Sequence, residues 1–306
     1  MSLFIKKFKE KKNLEETFKT KELSKQEIKK IKKELKDAKK SEKIKKRNTS
    51  PKTNENKGID WKNEKVLVVL SGGLDSSILI TKALKECKEV VAISYDFKQK
   101  MVENTNPKIN MFQNNPVEIE CAKKLCKKLN IKHVIIDCSF MANILKHMRE
   151  NTNEFNNNML TKEQPRTNMP YRNLTMLSIA LAIAESEKCN YIFTGYQTQD
   201  KHGYWDTTED FVNGINNISS LNPKQNTMVV APFSLLNKSD EIKLGLELNV
   251  DLSNTWSCYN PISTKRKLKQ KYLCCGECPA CKDRLLNFEK LNIKDPLIYV
   301  NKKGNK

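Results

Sequence analysis

In the stretch Ser71-Gly72-Gly73-Leu74-Asp75-Ser76-Ser77, paired glycines, one acid and three hydroxyls fall within seven residues, a composition suited to holding an anion. Glycine lets the main chain turn through positive φ and come close to a ligand, while a helix start adds free N–H groups and the positive end of its dipole. No Gly-Lys-Ser or Gly-Lys-Thr follows, so this is not the loop that grips β and γ phosphates with a lysine. It suits a pyrophosphate that leaves as a unit. A plain strand-to-helix turn with a Ser or Asp cap uses the same residue types, and position in the fold separates the two readings.

A second set consists of cysteines. Cys258, Cys275, Cys278 and Cys281 are separated by 16, 2 and 2 residues. Short gaps let successive sulfurs converge on one ion, and four thiolates close a tetrahedral zinc site with no open position, so its expected role is structural. Cys274 is a rival for the fourth place, although adjacent side chains rarely point to one centre. Cys87, Cys121, Cys126, Cys138 and Cys189 lie in apolar or helical contexts and are expected in the core. No apolar segment follows Lys6 and Lys7, so no secretory signal is expected and the setting reads as reducing and cytoplasmic.

The elements that must carry these groups alternate in type. Residues 66–70 form an all-apolar run, as in a parallel strand covered on both faces. Helices are expected at 76–87, 117–129 and 173–187, further strands at 90–95, 133–137 and 191–194, and a polar loop at 97–116. That order predicts an α/β fold with a doubly wound parallel sheet. The segment after residue 194 would lie at the carboxyl edge, where such sheets bind ligands.

The 306 residues carry a net charge of +20, and residues 1–60 hold 21 Lys and Arg against 10 Asp and Glu. Residues 1–47 place sparse apolar positions at helical intervals, which predicts helices without a core of their own. Residues 48–60, with Pro51 and Gly58, read as a linker. The expected division is a basic extension and linker at 1–60, an α/β domain at 61–257, and a zinc-binding element with a tail at 258–306. Such an extension could dock nucleic acid or a protein partner. An overall bias toward Lys, Asn and Ile explains the charge equally well. No apolar run reaches the roughly 20 residues of a membrane span, so no membrane partner is expected.

The 71–77 loop resembles the Ser-Gly-Gly-X-Asp-Ser signature of the PP-loop ATP pyrophosphatases. Further segments narrow the likeness to the QueC family of 7-cyano-7-deazaguanine synthases, over about residues 63–290. Met169-Pro170-Tyr171-Arg172-Asn173 is similar to that family's Pro-X-Arg-Asn element before a helix. Thr255-Trp256-Ser257-Cys258-Tyr259 and Cys275-Gly276-Glu277-Cys278-Pro279-Ala280-Cys281 are similar to its zinc element, and Lys238 sits where the family carries a lysine before a helix.

The resemblance implies a PP-loop, HUP-like fold with a small C-terminal zinc-binding element. ATP would be held by Leu70, Ser71, Gly72, Gly73, Leu74, Asp75, Ser76 and Ser77, magnesium would act with Asp75, and zinc would bind the four cysteines. It further implies that 7-carboxy-7-deazaguanine is adenylylated, that ammonia displaces AMP to give an amide, and that a second ATP drives the amide to the nitrile. Asp75, Arg172 and Lys238 would be catalytic. Asn173, Gly195, Asp200, Tyr204 and Asp206 would hold the deazaguanine, while His202 reads as an exposed loop residue. The implied partners are the small-molecule substrate, ammonia and a second copy in a homodimer. The chain departs from the pattern at Phe97-Lys98-Gln99, where Tyr-Gly-Gln is expected, and at His202-Gly203-Tyr204-Trp205-Asp206-Thr207, where Ser-Gly-Tyr-Pro-Asp-Cys is expected. Those departures leave open an enzyme that stops at the amide, or one that transfers a deazaguanine to a macromolecule in DNA modification or antiviral defence.

Overall fold

The computed structural model describes residues 60–98, 115–141, 143–144, 171–197, 205–263 and 272–300. Lys65–Val69 (β1), Glu89–Asp96 (β2), Lys132–Asp137 (β3), Tyr191–Phe193 (β4) and Met228–Val230 (β5) pair in parallel, in the order β3-β2-β1-β4-β5. Because side chains alternate along a strand, β1 divides its apolar residues between two layers. Val66 and Val68 face one layer and Leu67 the other.

The first layer contains Leu74–Glu86 (α1) and Asn115–Leu129 (α2), with Ile78, Leu79 and Ala122 against the sheet. The second contains Arg172–Glu187 (α3) and Glu209–Ser219 (α4), which contribute Leu177, Ala180, Phe211 and Ile215. Lys238–Glu247 (α5) and Pro279–Lys290 (α6) join the first layer through Ile242 and Phe288. Burying one such side chain contributes about 1.5–3 kcal/mol, so the two layers hold the sheet from both sides.

Two features of this architecture create a site. From β1 the chain builds β2 and β3 to one side and then β4 and β5 to the other. The crevice beyond the carboxyl ends of β1 and β4 is therefore the topological switch point, where open α/β sheets bind ligands. The second feature is close packing between α5 and α1. A Cβ on Gly245 would lie 2.9 Å from Ile78 Cδ1, so a larger residue there would push the Ile78 side chain aside, and glycine eases the close approach of the two helices.

The expected doubly wound parallel sheet is borne out, and each strand and helix expected between residues 66 and 194 appears within two residues of its bounds. The loop expected at 97–116 ends earlier, because α2 begins at Asn115. The Asn115 side chain explains this, accepting from the Phe97 N–H (2.9 Å) and donating to the Tyr95 carbonyl (3.0 Å). Residues 1–59 and 99–114, with their expected helices, linker and loop, lie outside the described residues. Among the described residues no helix is long and apolar enough to cross a membrane.

A short antiparallel hairpin, Ile262–Ser263 (β6) with Tyr272–Leu273 (β7), leads into the cysteine-rich turn before α6. That element is not a separate body. Phe288 of α6 lies in the main core, and the cysteines continue into a smaller cluster with Val117 and Cys121 of α2.

Candidate active site

The 71–77 loop leaves β1 at the switch point. Ser94 Oγ donates to the Leu70 carbonyl at 2.5 Å, and Leu70 and Leu74 are core residues, 1% and 4% exposed. Their side chains anchor the loop. Gly72 has φ +87°, and a Cβ there would lie 2.0 Å from the Glu118 carbonyl oxygen. Gly73 caps α1 in an extended conformation. The Ser71 and Ser76 hydroxyls lie 2.9 Å apart, Ser76 Oγ accepts from the Ser71 N–H at 3.2 Å, and the Gly73 N–H donates to Ser71 Oγ at 3.1 Å. Both hydroxyls thus shape the turn. Ser77 Oγ is buried without a hydrogen-bond partner among the described residues. Gly72→Ala is expected to cost about 1–3 kcal/mol through overlap with α2 and to displace the loop, read as a lower thermal midpoint.

Lys238 is the first residue of α5, which Asn237 caps by accepting from the Asp240 N–H. The Gly245 contact brings that turn over the start of α1, and Lys238 Nζ lies 2.5 Å from Asp75 Oδ1 and 3.5 Å from Glu241 Oε2. Glu241 is fully buried and its Oε1 accepts from Gln197 Nε2 at 2.6 Å. Burial is the largest influence on Asp75 and opposes its charge, but the Lys238 ammonium, the hydrogen bonds from Glu241 and Lys238 and the more distant Arg284 charge together hold the carboxyl below the usual range. Burial also opposes charge on Lys238, yet Asp75 and then Glu241 raise it above the ordinary lysine value. Glu241 goes the other way. Burial, then repulsion from Asp75, pushes its carboxyl up to about 9. At neutral pH the trio is a carboxylate, an ammonium and an uncharged acid.

Because Glu241 titrates from 4.5 unperturbed to about 9 in the fold, folding favours its protonated form. That stabilisation is complete below the unfolded value and is lost as pH rises through the folded one. Glu241→Gln is expected to flatten the decline of thermal midpoint between about pH 5 and 9. A profile parallel to that of the unsubstituted protein contradicts the assignment.

These groups open on a cavity of about 610 Å³, lined by Ser71, Gly73, Leu74 and Asp75, by Gly195, Tyr196 and Gln197 after β4, by Asn237 and Lys238, and by Trp256, Ser257, Tyr259 and α6 residues including Asp283, Arg284 and Asn287. The volume falls in the ~300–1,000 Å³ range of small-molecule sites. A Cβ on Gly195 would lie 3.6 Å from the Asp75 Cβ, so the β4 loop passes directly over the start of α1.

Other expected site residues are placed differently. Arg172 opens α3 beside Tyr196, and its charge opposes the rise that burial imposes on that phenol. It does not line the cavity. Neither do Asn173 and Asp206, both largely buried. Asn173 Nδ2 donates to the Asp206 carbonyl at 3.1 Å, and Tyr171 packs edge-on against Trp205. These contacts hold the Trp205–Thr207 turn, whose Thr207 reaches the cavity. Asp200, His202 and Tyr204 lie outside the described residues. Phe97, at one of the departures, is a buried core residue.

The four expected cysteines do converge, with Sγ atoms all within 4.8 Å of one another. Cys275 and Cys281 sulfurs are 3.9 Å apart, close to the roughly 3.8 Å edge of a tetrahedron with 2.3 Å metal–sulfur bonds. Six backbone N–H groups, of Tyr259, Asn260, Cys275, Glu277, Cys278 and Cys281, donate to sulfurs of the set at 3.3–3.5 Å. Such a shell suits thiolates, so the residues fit a bound metal ion. Cys274 interacts with Cys258 and Cys281 but lies outside the convergent set, its main chain being paired with Ile298 and Val300.

Sequence reasoning passed over Glu241 and Arg284. Arg284 Nε and Nη2 donate to Asp295 at 2.8 and 3.1 Å, Nη1 to Thr255 Oγ1 at 2.9 Å and Ser257 Oγ at 3.3 Å, and Nη2 to the Leu252 carbonyl at 3.0 Å. The available signals were helical spacing, Glu241 three residues after Lys238 and Arg284 three after Cys281.

A glycine-rich loop at the switch point of a parallel five-stranded sheet, opening on a cavity of small-molecule size and joined to a four-cysteine element, defines an α/β protein with a ligand site at the carboxyl edge of its sheet. The family model of the queuosine biosynthesis protein QueC matches residues 65–292, and the chain belongs to that family. It is 34% identical to a 7-cyano-7-deazaguanine synthase of Campylobacter jejuni over 78% of this chain and 99% of that protein. A 7-cyano-7-deazaguanine synthase of Colwellia psychrerythraea is 30% identical over 77% of this chain and 99% of its own length. Among solved structures, a U34-tRNA thiolase from Methanococcus maripaludis is 18% identical, covering 77% of this chain and 69% of that one with a TM-score of 0.39. The curated relatives support a role in queuosine biosynthesis.

Proposed function

We propose that the chain converts 7-carboxy-7-deazaguanine, ammonia and ATP to 7-cyano-7-deazaguanine, through an adenylate and an amide. The observation that carries this reading is the Lys238–Asp75 pair beside the 71–77 loop, inside a cavity that the β4 loop also enters. A carboxylate oxygen of the substrate attacks the α-phosphorus of ATP, and pyrophosphate leaves into the loop. Lys238 turns from Asp75 to the phosphate oxygens where negative charge builds, the kind of stabilisation that acts most strongly in a site closed to water. Ammonia attacks the activated carbon and AMP departs, giving the amide. The amide oxygen then takes the adenylyl group of a second ATP, and loss of AMP and a proton leaves the nitrile.

Asp75 is the residue to hold magnesium, which supplies charge neutralisation on the phosphates. Cys258, Cys275, Cys278 and Cys281 are the residues to hold zinc, and a closed set of four sulfurs supplies structure. Arg172 and Asn173 act by holding Tyr196 and the Trp205–Thr207 turn at the cavity edge.

Incubation with 7-carboxy-7-deazaguanine, magnesium, ATP and ammonium, followed by mass spectrometry, tests the reading. The nitrile, with pyrophosphate and AMP, is the expected product. Accumulation of amide without nitrile restricts the enzyme to the first stage. Absence of substrate-dependent pyrophosphate overturns the proposal.

A further inference from the structure

Trp256 touches both chemical centres. Its main-chain N–H donates to the Gly72 carbonyl at 3.0 Å, and its own carbonyl oxygen lies 3.4 Å from where a Cβ on Gly73 would sit. One peptide segment thus flanks both glycines of the phosphate loop. The indole Nε1 donates to the carbonyl of Cys258, the first cysteine of the convergent set, at 2.8 Å. Trp256 is 4% exposed, packs in one cluster with Cys258, Cys278 and Cys281, and is among the residues that line the cavity. Asn254 Nδ2, two residues earlier, donates to the Cys121 carbonyl of α2 at 3.3 Å, so the strap is also pinned to the helix on which Gly72 rests.

Gly72 has no Cβ and sits at positive φ, so its peptide is held by its neighbours and not by its own rotamer. The Gly72 carbonyl is the point where the strap takes hold. Cys258 in turn belongs to the convergent set, its sulfur accepting from the Asn260 and Cys275 N–H groups at 3.3 Å and lying within 4.8 Å of the other three, so a metal bound there would fix its position further. We propose that Trp256 is a positioning residue that couples the four-cysteine metal centre to the phosphate loop, so that metal binding and nucleotide binding strengthen each other. The inference rests on the reading that the 71–77 loop holds ATP.

Linkage makes the effect reciprocal, since whatever factor the metal adds to nucleotide affinity, the nucleotide adds to metal affinity. The test uses full-length zinc-loaded protein and a non-hydrolysable ATP analogue with magnesium. It measures the concentration of a competing chelator that removes half the zinc, with and without the analogue. Saturating analogue is expected to raise that concentration about fivefold, which is what one net hydrogen bond is worth. In Trp256→Phe, which keeps the main-chain bond and an aromatic ring but loses the indole donor, the factor is expected to fall toward one. The Michaelis constant for ATP rises by a similar factor while that for the carboxylate substrate holds. Equal linkage in both proteins, or none in the unsubstituted one, overturns the proposal. If Trp256→Phe fails to retain zinc, the linkage in the unsubstituted protein decides. Failure of the unsubstituted, zinc-loaded protein to bind the analogue in equilibrium dialysis refutes the ATP reading instead.

Discussion

Lys238→Met lowers substrate-dependent pyrophosphate release by about 10²–10³-fold, the usual loss when one group stabilising developing charge is removed. The effect on folding is small by comparison. The Lys238 and Asp75 side chains are 21% and 31% exposed, and a partly exposed ion pair contributes about 1 kcal/mol or less. A large fall in turnover with a thermal midpoint within a few degrees of the original is the expected combination. Turnover within threefold of the original removes Lys238 from the reaction. Asp75→Asn adds a second check, since it keeps the shape of the side chain but abolishes the charge that Lys238 faces. Asp75→Asn should therefore impair magnesium-dependent ATP turnover more than it impairs folding.

Arg284→Met produces the opposite combination. Arg284 and Asp295 have side chains 3% and 2% exposed, and the guanidinium also serves Thr255, Ser257 and the Leu252 carbonyl. Asp295 also accepts from the Leu297 N–H and the Tyr299 hydroxyl. Removing one partner of such a buried pair costs about 3–5 kcal/mol, because the other charge is left without compensation. For a domain of this size that is roughly 6–20 °C in thermal midpoint. The double variant Arg284→Met with Asp295→Leu is expected to recover much of the loss, since neither charge then remains. A double variant no more stable than the single one locates the cost in packing, where Arg284 stacks over the Phe288 ring.

Both outcomes depend on groups contributed by distant parts of the chain. Lys238 meets Asp75 across 163 positions, and Arg284 ties α6 to the segment before Cys258 and to the tail. The two anchors serve different ends. Lys238 lines the cavity in a partly exposed pair with Asp75, while Arg284 has every donor engaged and holds the wall against which the cavity forms.

Local pattern was enough to reveal some of this protein and not the rest. The 66–70 run announced a doubly covered strand because each residue is apolar, and the 71–77 loop announced a tight strand-to-helix turn because positive φ at Gly72 is a property of one residue. The cysteine spacing worked for the same reason, since a two-residue gap brings sulfurs together through the chain itself. Other elements left weaker traces. β5 has only three residues, and α4 hides its buried Phe211, Val212 and Ile215 among asparagines and a glycine. Asn173 illustrates a different limit. Its place in the Arg-Asn element suggested contact with substrate, but its amide is engaged by the Asp206 carbonyl, a pairing across 33 positions. The protonation states of Asp75 and Glu241 belong to the same category, as they follow from burial and from charges brought together by the α1–α5 packing. Short-range stereochemistry is written residue by residue, so loop, strand and metal spacing could be read directly. Partner, burial and charge state arise only when separate segments meet, and the assembled core decided them.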